Sequence, residues 1–225
     1  MKKLTMDKTI YLFARKNFNR LGLAIFFFFS FFLFSKDLLS SESNIKNPFS
    51  EYSADLKQIE NYLNKITNLS ANFVQKTSDG SKVKGKFFLS RPGKMRIEYL
   101  TKPEVVIVVN GSVLSYYDVE LDEISHLSTN TTPASFLTRP SISFNAKDLE
   151  VTDIKKFSNQ IKISIIKKNR KEAGEFSLVF TTNPLSFIKM EVKNDLDQII
   201  EVILTDIDFT NSITDKIFTL KKASE

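Results

Sequence analysis

GKFFLSRPGKMRIEY, residues 85–99, decides how the chain is read. With the preceding KVK it alternates with period two, the mark of a half-buried strand. Val83, Gly85, Phe87 and Leu89 fall on one side, and Lys82, Lys84, Lys86 and Phe88 on the other. RPGK (91–94) is turn chemistry. Beyond it Met95, Ile97 and Tyr99 alternate against Arg96 and Glu98. The stretch is therefore an antiparallel hairpin with one apolar and one charged face.

The same rhythm extends in both directions. Upstream, ANFVQKT (71–77) puts Ala71, Phe73 and Gln75 on one face, and TSDG (77–80) turns the chain. Downstream, VVIVV (105–109) runs into Asn110-Gly111, a strong short hairpin signal, followed by SVLSYYD and EISHLS (123–128). TNTTPASFLTRPS (129–141) breaks the pattern. There Thr132 is expected to cap a short helix that begins at Pro133, presents Phe136 and Leu137, and ends before Pro140. Strands then resume as LEVTDIKKFS, IKISIIKK, EFSLVFTT, SFIKMEVK and QIIEVILTDIDF, with DKIFTL (215–220) expected as a last strand. SADLKQIENYLNKIT (53–67) is the one amphipathic helix, with Leu56, Ile59, Leu63 and Ile66 in a single stripe and Ser53 as its N-cap.

These elements predict a mainly β (α+β) fold. About eleven antiparallel strands, one amphipathic helix at the start and a short helical insertion near the middle make a meandering sheet that curls into a barrel or part of one. Two domain assignments follow: residues 1–41 as a signal peptide and 42–225 as a single domain.

The leader explains an imbalance of charge. The chain has 225 residues with 32 basic and 26 acidic side chains, a formal net charge of +6. Lys2, Lys3, Lys8, Arg15, Lys16 and Arg20 precede LGLAIFFFFSFFLFS (21–35), an apolar run of about 22 Å as a helix. That is short of the roughly 30 Å hydrocarbon core. A basic start, a short apolar run and a Ser-rich exit make a secretory signal peptide, with Ser40 or Ser41 as the cleavage region. An uncleaved anchor, extended by tilt through Leu38 and Leu39, is the alternative. Removing residues 1–41 takes away seven bases and two acids, leaving 25 against 24, a net +1. The electrostatic footprint that nucleic-acid binding requires is absent from the exported part.

Composition excludes several chemistries. The chain has no Cys and a single His, His126, so thiol nucleophiles, thiolate metal sites and two-His metal sites are out. His126 lies in a short strand without a nucleophile motif and reads as a solvent-facing side chain. Asp206 with Asp208, and Asp195 with Asp197, read as solvated acids rather than a glycosidase pair or a cation site. No catalytic residue, metal ligand or cofactor is expected.

What remains is the concave face. Phe73, Val83, Phe87, Leu89, Met95, Ile97 and Tyr99 either line a cavity for an apolar ligand such as an acyl chain or pack under the helix as a plain core. Arg91 continues the inward parity of Phe87 and Leu89. If it points inward it needs partners, and carbonyl groups at the end of a lid helix suit its fixed fork of five donors. The alternative is a surface arginine in a Pro-Gly turn.

Taken in order, these segments resemble the LolA family of periplasmic lipoprotein carriers. The resemblance rests on L-x-x-I-x-x-Y-L-x-x-I (56–66), S-A-N-F-V-Q (70–75), residues 85–99, P-E-V-V-I-V-V-N-G (103–111), Y-Y-D (116–118) and T-P-A-S-F-L (132–137). It implies an unclosed, strongly curved antiparallel half-barrel of about eleven strands with a helical lid over an apolar cavity. It implies, too, a shuttle that takes acylated lipoproteins from an inner-membrane ABC transporter, shields their acyl chains, and delivers them to the outer membrane, either to an acceptor there or directly. It also implies a monomer in the periplasm of a Gram-negative bacterium. Arg91 matches the family's lid-locking arginine and Met95 a position at the cavity mouth. Ile97, where the family often has Trp, and Asn110, where it often has Asp, depart from the pattern. A lipid- or lipoprotein-sensing regulatory module of the same fold is the second expectation.

Overall fold

The computed structural model describes residues 49–222 apart from 103, 130–131 and 195–196. The segment expected to be a signal peptide, with Ser40 and Ser41, lies outside the described residues, as do two residues of the turn at 194–197. Of the described helices, none is long and apolar enough to cross a membrane.

Eleven strands form one antiparallel sheet. They are β1 (Asn68–Thr77), β2 (Lys82–Ser90), β3 (Lys94–Tyr99), β4 (Val105–Asn110), β5 (Val113–Asp118), β6 (Glu123–Ser128), β7 (Leu149–Lys156), β8 (Gln160–Lys167), β9 (Glu175–Thr182), β10 (Leu185–Lys193) and β11 (Ile199–Asp208). Their spatial order is β6-β5-β4-β3-β2-β1-β11-β10-β9-β8-β7. Two meanders of consecutive hairpins are thus joined through β1 and β11 at the middle. β6 and β7 are the two free edges, so the sheet does not close, and residues 129–148 cross from one edge to the other.

The one α-helix among the described residues, α1 (Ser53–Lys65), reveals the curvature. Asp55 in its first turn accepts from Lys156 on β7 at 3.0 Å. Tyr62 Oη accepts the Phe187 N–H of β10 at 3.1 Å. Its C-terminal end receives Arg91 from the β2–β3 turn, with Ile66 O at 3.2 Å. β2 and β7 are six steps apart in the sheet, about 29 Å if flat at ~4.8 Å per step. Asp55 and Ile66 are separated by only about 16 Å of helix at ~1.5 Å per residue. One short helix reaches both because the sheet curls around it.

The core lies inside that curl. Leu56, Ile59 and Leu63 of α1 share a buried cluster with Leu69, Phe73, Phe87, Met95, Ile163, Leu178 and Phe187 of the sheet. The alternation of Lys with apolar residues in β2 is what turns one face inward and leaves the other wet.

Three local expectations are corrected. Ser53 does not cap α1: a 3-10 turn over Ser50–Tyr52 leads straight into the helix, and Tyr52 occupies the cap without a side-chain bond. The Thr132 hydroxyl donates back to the Thr129 carbonyl at 3.2 Å, while the short helix expected at Pro133 is present as a 3-10 helix over Pro133–Phe136. DKIFTL is not a strand. β11 is hydrogen-bonded on both sides and lies far from either free edge, so this segment finds no ladder to join. It forms a 3-10 turn over Asp215–Phe218, burying Phe218 against β3 and β4 while Arg96 donates to Ile217 O at 2.8 Å.

The β4–β5 turn also differs in detail. Asn110 pairs with Val113, so Gly111 and Ser112 are the loop, and Gly111 takes the positive φ of 61° that a Gly-first two-residue turn requires.

Candidate functional site: an apolar inner face and its latch

The inner face of β1–β3 is apolar because the strand period places it so, and it is closed to water. Phe73, Phe87, Leu89 and Met95 are all buried to within 4% exposure or less. Ile97 and Tyr99 pack half-buried against the same cluster. Val83 is half-buried at the far end of β2 and stands outside the cluster.

Over this face lies the crossing segment. Its Phe136, Leu137, Ile142 and Phe144 are buried in the common core, with Phe136 and Phe144 rings 5.6 Å apart. Fully burying four such side chains is worth up to about 6–12 kcal/mol. Their enclosure therefore outweighs any single polar contact in holding the lid shut.

The polar contacts decide where it shuts. Arg91 points inward. Its Nε donates to Arg139 O at 2.9 Å, one terminal nitrogen to Leu63 O and Ile66 O, and the other to Asn64 Oδ1 at 3.1 Å and Pro140 O at 3.4 Å. A single guanidinium thus ties the end of α1 to the end of the lid, where orphan carbonyls are available. Burial pushes its pKa down, yet a guanidinium stays protonated. Backbone bonds from Arg91 N to Thr67 O and from Gly93 N to Thr138 O, both 2.8 Å, seat the turn in the same place.

Two more side chains of α1 complete the latch, and the sequence reading missed both. Asn64 forms a two-way pair with the Ile142 backbone, at 2.9 Å and 2.8 Å. Buried Glu60 accepts from Phe144 N at 2.7 Å and Ser143 Oγ at 3.1 Å. Their signal was their spacing: Glu60 and Asn64 sit one turn apart beside the apolar stripe. Arg139 bonds Asp148 and holds that carboxyl below its ordinary range.

At the opposite end of the inner face the character changes. Burial pushes the Tyr99 phenol up, with Tyr116 adding to the effect, and burial together with Asp118 pushes Tyr116 up to about 12. Tyr99 Oη donates to Gln75 Oε1 at 2.8 Å.

His126 is exposed on the edge hairpin β5–β6 and hydrogen-bonds Ser115 directly across it at 2.8 Å. Asp206 has φ 51° at a bulge between β1 and β11, which breaks the alternation linking it to Asp208. Among the described residues, no group of three His, Cys, Asp or Glu side chains is placed to hold a metal ion.

An open antiparallel sheet curled around apolar side chains and latched shut by a polar clamp defines a protein built around an enclosed apolar face. The family model described as "Outer membrane lipoprotein carrier protein LolA" matches residues 64–221, and the chain belongs to the LolA family. An outer-membrane lipoprotein carrier protein of Legionella pneumophila (strain Corby) is 29% identical over 185 residues, 77% of this chain and 87% of the relative. An uncharacterized protein of Rickettsia prowazekii (strain Madrid E) is 25% identical over 166 residues, 74% of this chain and 76% of the relative. Among solved structures, a LolA superfamily protein of Nitrosomonas europaea aligns with a TM-score of 0.45 at 10% identity, covering 73% of this chain and 97% of that one.

Proposed function

We propose that the chain is a periplasmic carrier. It takes acylated lipoproteins as an inner-membrane ABC transporter releases them, and shields their acyl chains on the way to an outer-membrane acceptor. Family membership supports the cargo class. The observation that carries the reading is the Arg91 clamp, which fastens the crossing segment over a face lined by Phe73, Phe87, Leu89 and Met95.

The magnitudes suit exchange rather than permanent binding. An acyl chain of about 14 methylenes gains ~11 kcal/mol on leaving water at ~0.8 kcal/mol each. That is close to what burial of the lid's own four apolar side chains supplies. Swapping lid for chain on the same surface is therefore near balance, and a few hydrogen bonds of ~1 kcal/mol net each bias it. Such a carrier loads and unloads without an energy source of its own.

Native mass spectrometry of the protein recovered from its own periplasm tests this. Co-purifying lipidated proteins are the expected result. Recovery with free lipid alone, or with nothing bound under conditions that preserve complexes, would sink the carrier reading.

A further inference from the structure

Gln75 stands on the inner face of β1, two residues past Phe73, and is only 3% exposed. Its Oε1 is taken by Tyr99 Oη at 2.8 Å. Its Nε2, which carries two N–H donors, has no hydrogen-bond partner among the described residues, and neither has the buried hydroxyl of Thr101. Buried polar groups are nearly always paired, and each exception calls for a reason.

Position supplies one. Along β3, exposure rises from buried Met95 to half-buried Ile97 and Tyr99, and along β5 from buried Leu114 to half-buried Tyr116. Gln75 thus sits where the enclosed apolar face gives way to the surface, about 20 Å along β1 from Leu69 beside the Arg91 turn. A molecule with apolar chains among Phe73, Phe87 and Ile97 would bring its polar junction to this rim. The charge of the junction can also be read. Burial raises both phenols, with Tyr116 adding to the rise at Tyr99 and Asp118 to the rise at Tyr116. A carboxylate is disfavoured here, whereas a neutral oxygen acceptor is not.

We infer that the Gln75 amide donates a hydrogen bond to a neutral ester carbonyl at the head of the bound acyl chains. This rests on the carrier reading and gives it a polar register point opposite the latch. Tyr99 is a positioning residue: by occupying Oε1 it aims Nε2 at the ligand.

The test uses a synthetic lipopeptide with two palmitoyl ester chains, its twin with two hexadecyl ethers, and palmitate. These are titrated into the wild type and into the double variant Gln75→Leu/Tyr99→Phe. The wild type should bind the ester about three- to tenfold tighter than the ether, the worth of one hydrogen bond. The double variant should bind both at the ether's affinity, with a melting temperature no lower than wild type. That last readout separates a pair kept for ligand from one kept for folding. Equal, tight binding of ester and ether by the wild type overturns the inference and leaves the carrier reading standing. Failure of both to bind overturns the carrier reading as well. Palmitate binding as tightly as the ester, and losing affinity in the variant, overturns the neutral-carbonyl assignment. The wild-type preference is decisive even if the variant does not fold.

Discussion

At the scale of the residue, Gly85 shows how closely the inner face is packed. A Cβ there would lie 2.3 Å from Phe73 Cζ and 2.2 Å from the Glu98 carbonyl oxygen, far inside contact distance. The Phe73 ring, stacked edge-on against Tyr99 at 5.4 Å, fills the space a side chain would take. The ring can turn, but the carbonyl belongs to β3 and is fixed by the ladder. Gly85→Ala should therefore lower stability by ~1–3 kcal/mol, the range for overpacking, although Ala is otherwise the better strand residue. A fall in the urea midpoint at unchanged slope is the expected signature; an unchanged midpoint would show that the strands separate freely at this point. The alternation of residues 83–89 already put Gly85 beside Phe87 on the inward face. That only glycine fits there was not legible, because the constraint comes from a ring on β1 and a carbonyl on β3.

At the scale of elements, the charged outer face of β8, β10 and β11 is organised around Glu191. Register places Glu191 directly opposite Glu201, a like-charge pairing that would repel. Lys189 relieves it, reaching Glu191 at 2.6 Å and Glu201 at 3.0 Å, and Lys162 bonds Glu191 from β8. Burial alone would raise the Glu191 pKa, but the hydrogen bonds from Lys162 and Lys189 outweigh it and hold the carboxyl below its ordinary value. A depressed folded pKa contributes stability that is present above the unfolded pKa, about 4.3, and lost as pH falls through the folded value. Wild type should thus exceed Glu191→Gln in stability at neutral pH, and the gap should close below about pH 4.3. A gap independent of pH would mean that packing, not charge, sets the effect. Strand existence here was legible from period two: EFSLVFTT and EISHLS coincide with β9 and β6. The fate of DKIFTL was not, since whether an apolar segment finds a ladder depends on which strand precedes it in space.

At the scale of the whole molecule, the decisive pairing is β1 with β11, which joins two meanders end to end. No local pattern encodes it, so the sequence yielded a curved sheet of about the right strand number without its order. Strand parity offered an inward Arg91 but left a surface arginine in the Pro-Gly turn equally open, because its partners come from segments 25 to 49 residues away, beyond the reach of spacing arguments. The architecture divides stability into two parts. The β8–β9 ladder, with Ile163, Leu178 and Phe180 fully buried, opens only when the protein unfolds. The lid amides of Ile142 and Phe144 depend instead on acceptors from the Asn64 and Glu60 side chains. Arg91→Leu removes the clamp between α1 and the lid while leaving every sheet pairing in place. Bonds to a charged donor contribute ~1.5–3 kcal/mol, so hydrogen exchange at Ile142 and Phe144 should quicken by about 10- to 100-fold. Amides of β9 exchange by global unfolding, which also breaks the clamp, so they quicken as well. The lid amides are set apart by a much smaller dependence of exchange on urea, since lid opening exposes far less surface. If lid and β9 amides shared one urea dependence, the lid would have no opening of its own. Selective release of the lid, by contrast, would establish that this fold opens its apolar face without unfolding, which a carrier that loads and unloads in water must do.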